Sequence, residues 1–181
     1  MPRLQSDAND FTGSNSCSPP QAALDADYVG YVGERNANGL RCGRGKMTWK
    51  NGDVYEGEWK ADKIDGQGTH WDVNGDRYKG EWKADAIDGQ GTYWYANGNR
   101  YEGEWKADER DGQGTYWFVD GSRYDGEWKA GNWDGQGTYC CASGDSYDGK
   151  WKADKKDGRG TFYWKDGEGE WKARTVRIPY F

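Results

Sequence analysis

Carboxylates recur beside glycine-rich turns in this sequence. Asp62 and Asp65, Asp85 and Asp88, Asp108 and Asp111, and Asp154 and Asp157 each stand three residues apart, as in DERDGQG. A calcium ion needs about six to eight converging oxygens, and two aspartates supply too few. The spacing fits neither an EF-hand nor a nonapeptide calcium repeat, so these acids read as turn residues and no metal is expected. A glycoside-hydrolase pair would be one distinctive couple of carboxylates, whereas these repeat identically along the chain. GLRCGRGKM (Gly39 to Met47) resembles a phosphate loop, but Leu40 and Met47 occupy the places where that motif needs Gly and Ser or Thr. His70 is the single histidine. It shares a column with Tyr93, Tyr116, Tyr139 and Phe162, and reads as a packing substitute; without a second histidine no Ser–His or Cys–His arrangement can form. Cys17, Cys42, Cys140 and Cys141 show no CxxC spacing and are expected to be reduced thiols. No catalytic residue and no cofactor is expected.

Composition narrows the class further. The 181 residues include 12 Trp, 13 Tyr and 29 Gly, while Leu occurs only at 4, 24 and 40 and Ile only at 64, 87 and 178. Apolar mass is therefore aromatic and evenly spread, which argues against one central core. The net charge of −6 disfavours a nucleic-acid partner, since phosphate contacts need clustered Lys and Arg. The first residues lack an apolar signal region, Pro2 excludes N-myristoylation, and no apolar run is long enough to span a bilayer. A cytoplasmic protein is expected.

The elements that carry these residues follow from an internal period. Residues 1–27 are polar and aperiodic and read as a disordered or loosely ordered segment. Tyrosines at 55, 78, 101, 124 and 147 open five units of 23 residues: 55–77, 78–100, 101–123, 124–146 and 147–169. A degenerate unit at 28–54 precedes them, and 170–181 reads as a terminal half-unit with a capping tail, GEGEW continuing the pattern. Within a unit, YEGEWK and GQGTYWFV alternate large and small residues, the mark of two strands, with ADERD as a polar linker and DGS or NGN as the turn onward. The fold class is therefore all-β, an elongated single-layer antiparallel array of about six hairpins. Side-chain sizes suggest a register in which Trp105 faces Gly114, Gly103 faces Tyr116 and Tyr101 faces Phe118, each glycine giving room to a ring. Alternate strands then lie about 9.6 Å apart, and the array forms a rod on the order of 60 Å long.

The columns resemble the MORN (membrane occupation and recognition nexus) repeat: YxGxW, a short polar stretch, GxG, and a further glycine before the next Tyr. The matching positions are Tyr55, Gly57, Trp59, Gly66, Gly68 and Gly75 in one unit and Tyr78, Gly80, Trp82, Gly89, Gly91 and Gly98 in the next. Tyr101, Gly103, Trp105 and Gly114, then Tyr124, Gly126, Trp128 and Gly137, then Tyr147, Gly149, Trp151 and Gly160 continue the same columns as the structural repeat core. The first unit is also similar to the opening repeat of ciliary radial spoke head proteins. The resemblance implies a non-catalytic scaffold or targeting module, in a ciliary or cytoskeletal assembly or at the inner membrane surface. The sequence departs from the family where Asp65, Asp88, Asp111, Asp134 and Asp157 replace a common His.

Three kinds of partner are open. Trp71, Trp94 and Trp117, followed by Cys140 and Tyr163, fall on the face opposite the core rings, bordered by Glu and Lys columns. Trp71, Trp94, Trp117 and Tyr163 are the candidate protein-binding residues, against the plainer reading that strand tryptophans stiffen a thin sheet. The Tyr/Trp face is a second candidate, as an open groove. Lys150, Lys152, Lys155 and Lys156 are candidate contacts for an anionic membrane or phosphoinositide, although Glu58, Glu81, Glu104 and Glu127 oppose the lysine column elsewhere. Homo-oligomers could form by pairing of the end strands.

Overall fold

A computed structural model describes residues 28–178, and the segment read as loosely ordered, 1–27, lies outside the described residues. Strands run β1 (Tyr28–Arg35), β2 (Arg41–Trp49), β3 (Val54–Lys60), β4 (Lys63–Trp71), β5 (Arg77–Lys83), β6 (Ala86–Trp94) and β7 (Arg100–Lys106). They continue as β8 (Glu109–Trp117), β9 (Arg123–Lys129), β10 (Asn132–Cys140), β11 (Ser146–Lys152), β12 (Lys155–Lys165) and β13 (Trp171–Ile178). All 13 form one open sheet in chain order, each antiparallel to its neighbours, with no helix among the described residues.

Two turn types join them. Between units, Gly52, Gly75, Gly98 and their equivalents take positive φ at the end of three-residue loops, where an L side chain would be strained. Within a unit the expected polar linker is absent. Lys106 pairs directly with Glu109, and Ala107 and Asp108 form a two-residue turn with φ of 47° and 68°. Positive φ at both positions suits the right-handed strand twist, which is why such a tight turn closes the hairpin.

That tight turn corrects the register expected from side-chain sizes. Gly103 faces Gly114, Tyr101 faces Tyr116 and Trp105 faces Arg110. The pairing differs by two residues, so every side chain keeps its face. The turn alone would shift the pairing by four residues, and a bulge, in which β8 uses Arg110 to Gly114 to span what β7 covers from Gly103 to Trp105, returns two of them. Glycine does meet tryptophan, but between units, where Gly89 pairs with Trp105 and Gly112 with Trp128.

The C-terminal half-unit also differs from expectation. GEGEW does not continue the Gly and Trp columns; Gly167 to Gly169 form the turn, closed by Gly169 N–H donating to the Asp166 carbonyl at 3.0 Å. Trp171 is therefore 59% exposed beside Lys165, while Arg174, Val176 and Ile178 stand in the Tyr, Gly and Trp columns. The same Gly-closed turn chemistry used between the earlier units captures this segment before it can serve as strand.

One face carries the core. Tyr55, Tyr78, Tyr101, Tyr124 and Tyr147 are fully buried, with Trp59, Trp82, Trp105, Trp128 and Trp151 almost as deep. Tyr55, Tyr78, Tyr101 and Tyr124 each meet the Trp of their own unit and the Trp of the next edge-on; for Tyr101 the centroids lie 5.1 Å from both Trp105 and Trp128. The ring lies over the glycine row, and a methyl added at Gly114 would fall 2.5 Å from Tyr101 Cζ. Tyr101 donates from its hydroxyl to the Glu104 carbonyl at 2.9 Å, and Trp105 Nε1 donates to the Gly91 carbonyl at 3.3 Å. Removing the Trp105 indole should therefore destabilise the sheet by about 3–5 kcal/mol, read as a lowered midpoint in Trp105→Ala denaturation. Ala107, held in the left-handed region at a cost of about 1–2 kcal/mol, gives the opposite case: Ala107→Asn should raise the midpoint.

Candidate functional site

The other face presents a row that strand pairing sets across the sheet. Trp71 pairs with Arg77, Arg77 with Trp94, Trp94 with Arg100, Arg100 with Trp117 and Trp117 with Arg123. The row continues through Cys140, Ser146 and Tyr163 to Ala173. The tryptophans expected on this face are on it, but they are not neighbours; an arginine separates each pair. Arg77 lies 3.8 Å from the Trp94 ring centroid and Arg100 lies 3.9 Å from that of Trp117, both cation–π contacts. Trp71 is 38% exposed, Trp94 and Trp117 are half-buried, and Tyr163 is exposed. A size-based register hides these arginines, since it sets Trp117 against Glu102. The available signal was the Arg that precedes Tyr78, Tyr101 and Tyr124 in three consecutive units.

The acidic columns serve the backbone. Asp85, Asp108 and Asp154 accept from the amides of Ile64, Ile87 and Trp133 in the preceding unit at 2.7–2.8 Å. Their own amides donate back to the carbonyls of those three residues. Asp62 does the same with Arg41, whose backbone amide and guanidinium together hold its carboxyl below the usual range. Burial instead pushes Asp108 up. Glu104 and Glu127 fold over the bulges and accept from the amides of Gln113 and Gln136 at 2.8 Å, so the expected pairing of these glutamates with the lysine column is replaced by bulge capping. Among the described residues no cluster of three or more potential metal ligands occurs.

The four candidate lipid lysines divide between the two faces. Lys152 is paired with Asp134 at 2.9 Å, and Lys150 and Lys155 are exposed on the same side. Lys156 lies on the ring face, 4.8 Å from the Phe162 centroid and 5.0 Å from that of Tyr147, where burial lowers its pKa. The ring face itself offers little groove, because its tyrosines are covered by the flanking tryptophans. His70 sits in this ring row between Tyr55 and Tyr78, 7% exposed, with Nε2 lacking a partner.

A family model described as the MORN repeat matches residues 37–54, 55–77, 78–100, 101–123, 124–146 and 147–169. No curated protein matches the chain. Among solved structures it is similar to the TCP domain of SAS-4 (dCPAP) of Drosophila melanogaster, solved in complex with a proline-rich motif of Ana2 (dSTIL). That likeness has 16% identity and a TM-score of 0.42, and covers 97% of this chain and 99% of the other. At that identity and score it bears on neither partner nor mechanism.

The buried imidazole makes stability depend on pH. Burial lowers the His70 pKa below its ordinary 6.5, against the opposing pull of Asp53 and Asp72. The unfolded chain therefore binds the proton more readily, and stability present above pH 6.5 is lost as pH falls through the folded value. His70→Tyr, which restores the residue of that column, should flatten the fall in thermal midpoint as pH drops below 6.5. An unchanged slope would place the titrating group elsewhere.

Proposed function

Since this chain belongs to the MORN repeat family, we propose that it works as a non-catalytic scaffold that presents its outer Trp/Arg row to a protein partner. The observation behind this reading is the row itself: large aromatic and guanidinium side chains alternating across six strands, with no second layer among the described residues covering them. Trp and Arg are enriched in interaction hot spots, and a side chain already held in place loses less conformational entropy on contact. Here the Arg77 and Arg100 guanidinium groups are already stacked, so that part of the surface is organised before a partner arrives.

Membrane recruitment has weaker support. Clusters of about four to eight unopposed basic residues suit anionic lipid, and here Asp134 holds Lys152 while Lys156 faces the opposite way. Self-association has support in the open edges of β1 and β13, where Val29 and Val32 are exposed on the first and Trp171 on the second. Assembly within a cilium or the cytoskeleton is part of the scaffold proposal.

The test is retrieval of partners at moderate salt by the native chain and by a Trp71→Ser, Trp94→Ser, Trp117→Ser variant whose circular dichroism matches native. A partner held by the native chain and lost by the variant is the expected outcome. Equal retrieval by both would reject the row as the recognition surface.

A further inference from the structure

The row has a period, a charge and a direction, and together they select one kind of occupant. This step rests on the reading that the outer row binds protein. Tryptophans stand on every second strand, which places them about 9.6 Å apart, and the arginines repeat at the same interval midway between them. A polyproline II helix returns a side chain to the same side every three residues, about 9.3 Å along its axis. An α-helix does so roughly every 5.4 Å, or about 10.5 Å over seven residues, and falls out of step with this spacing by about 0.9 Å per repeat against about 0.3 Å for polyproline II. The row crosses the strands, so a ligand following it runs perpendicular to them and does not add to a sheet edge.

Charge narrows the ligand further. The chain holds 31 acidic against 25 basic residues. Even so, none of the ion pairs found among the described residues involves Arg77, Arg100 or Arg123. Stacking fixes the Arg77 and Arg100 guanidinium planes on indole faces while their N–H donors stay available for carboxylates. On the neighbouring row of the same face, Lys79 adds a cation at the Arg77 end, while Glu102 and Asp125 would repel an acid that strayed from Arg100 and Arg123.

We propose that the Trp71–Arg77–Trp94–Arg100–Trp117–Arg123 row binds an acidic proline-repeat segment of a protein partner in the polyproline II conformation. One residue in three, a proline, seats against the tryptophans, and one in three, a carboxylate, pairs with the arginines. The rigid, already extended backbone of such a segment limits the entropy lost on binding.

Fluorescence anisotropy on the full chain tests this with labelled 12-residue peptides. The probe has four Pro-Ala-Glu triplets; the controls have four Gly-Ser-Glu triplets, with the same charge and no polyproline bias, and four Pro-Ala-Gln triplets, with the bias and no charge. Native chain should bind the probe at least ~10-fold more tightly than either control. Trp94→Ser, Trp117→Ser and, separately, Arg77→Gln, Arg100→Gln, Arg123→Gln should each lose at least ~10-fold. The arginine variant leaves the indoles in place, so the test survives if the tryptophan variant fails to fold. Absence of saturable probe binding, equal binding of the Gly-Ser-Glu control, or indifference to the arginine variant would overturn the proposal. So would sedimentation of the native chain as a dimer that the arginine variant dissolves, since a second copy would then cover the row. If the retrieved partner depends on the tryptophans while the probe does not bind, the binding face stands and its polyproline chemistry falls.

Discussion

A tyrosine ring lying on two glycines is the contact on which the rest of the sheet depends. Twelve glycines, from Gly33 to Gly160, run in one unbroken row across twelve strands. A single-layer sheet has no opposing layer to bury its apolar residues. It must cover them with one another, and the missing Cβ atoms let the rings lie close enough to the backbone to do so. Each ring from Tyr55 to Tyr124 then touches the tryptophan of the following unit, and each tryptophan donates to a glycine carbonyl of the preceding one, at distances from 2.9 Å at Trp151 to 3.4 Å at Trp82. Stability is thereby passed from neighbour to neighbour, as in other stacked-repeat proteins.

Polar residues secure the same neighbours at both sides of the sheet. At the tight turns, aspartates such as Asp85 and Asp108 exchange hydrogen bonds with the unit before them. At the opposite side, Asp53, Asp76 and Asn99 accept from the amides of Val73, Ala96 and Val119 in the unit after them, at 2.7–2.9 Å. These bonds satisfy backbone groups that the ladder leaves over at turns. They also explain why the acids repeat with the period: each acts on a neighbour's backbone, so each unit needs its own.

That division of labour shapes the surface. With these acids committed to turns and bulges, the arginines of the outer row form no ion pair among the described residues. The indoles beside them stand on rigid strands, held by the bulge and turn chemistry underneath. A stiff surface of alternating aromatic and cationic groups results from a sheet whose other face is wholly taken up with its own cohesion.

Much of this fold is legible in the sequence, because period, alternation and glycine placement are local quantities. The 23-residue spacing of Tyr55, Tyr78 and Tyr101 identifies the units, and two-residue alternation assigns Trp105 and Trp117 to opposite faces. A register error of two residues leaves those faces unchanged, so the core could be read without the true pairing. The neighbours within a face depend on that pairing. A tight turn at Ala107 and Asp108, partly offset by a bulge at Asp111 and Gly112, decides that Trp117 lies beside Arg100 and not beside Glu102. The same holds at the C-terminus, where turn closure after Asp166 moves Trp171 out of the repeat columns. Sequence alone therefore determined the repeat, the sheet and the two faces, since side-chain alternation fixes them. Which residues meet across strands was decided by tertiary structure, because a bulge shifts one strand past another without altering that alternation.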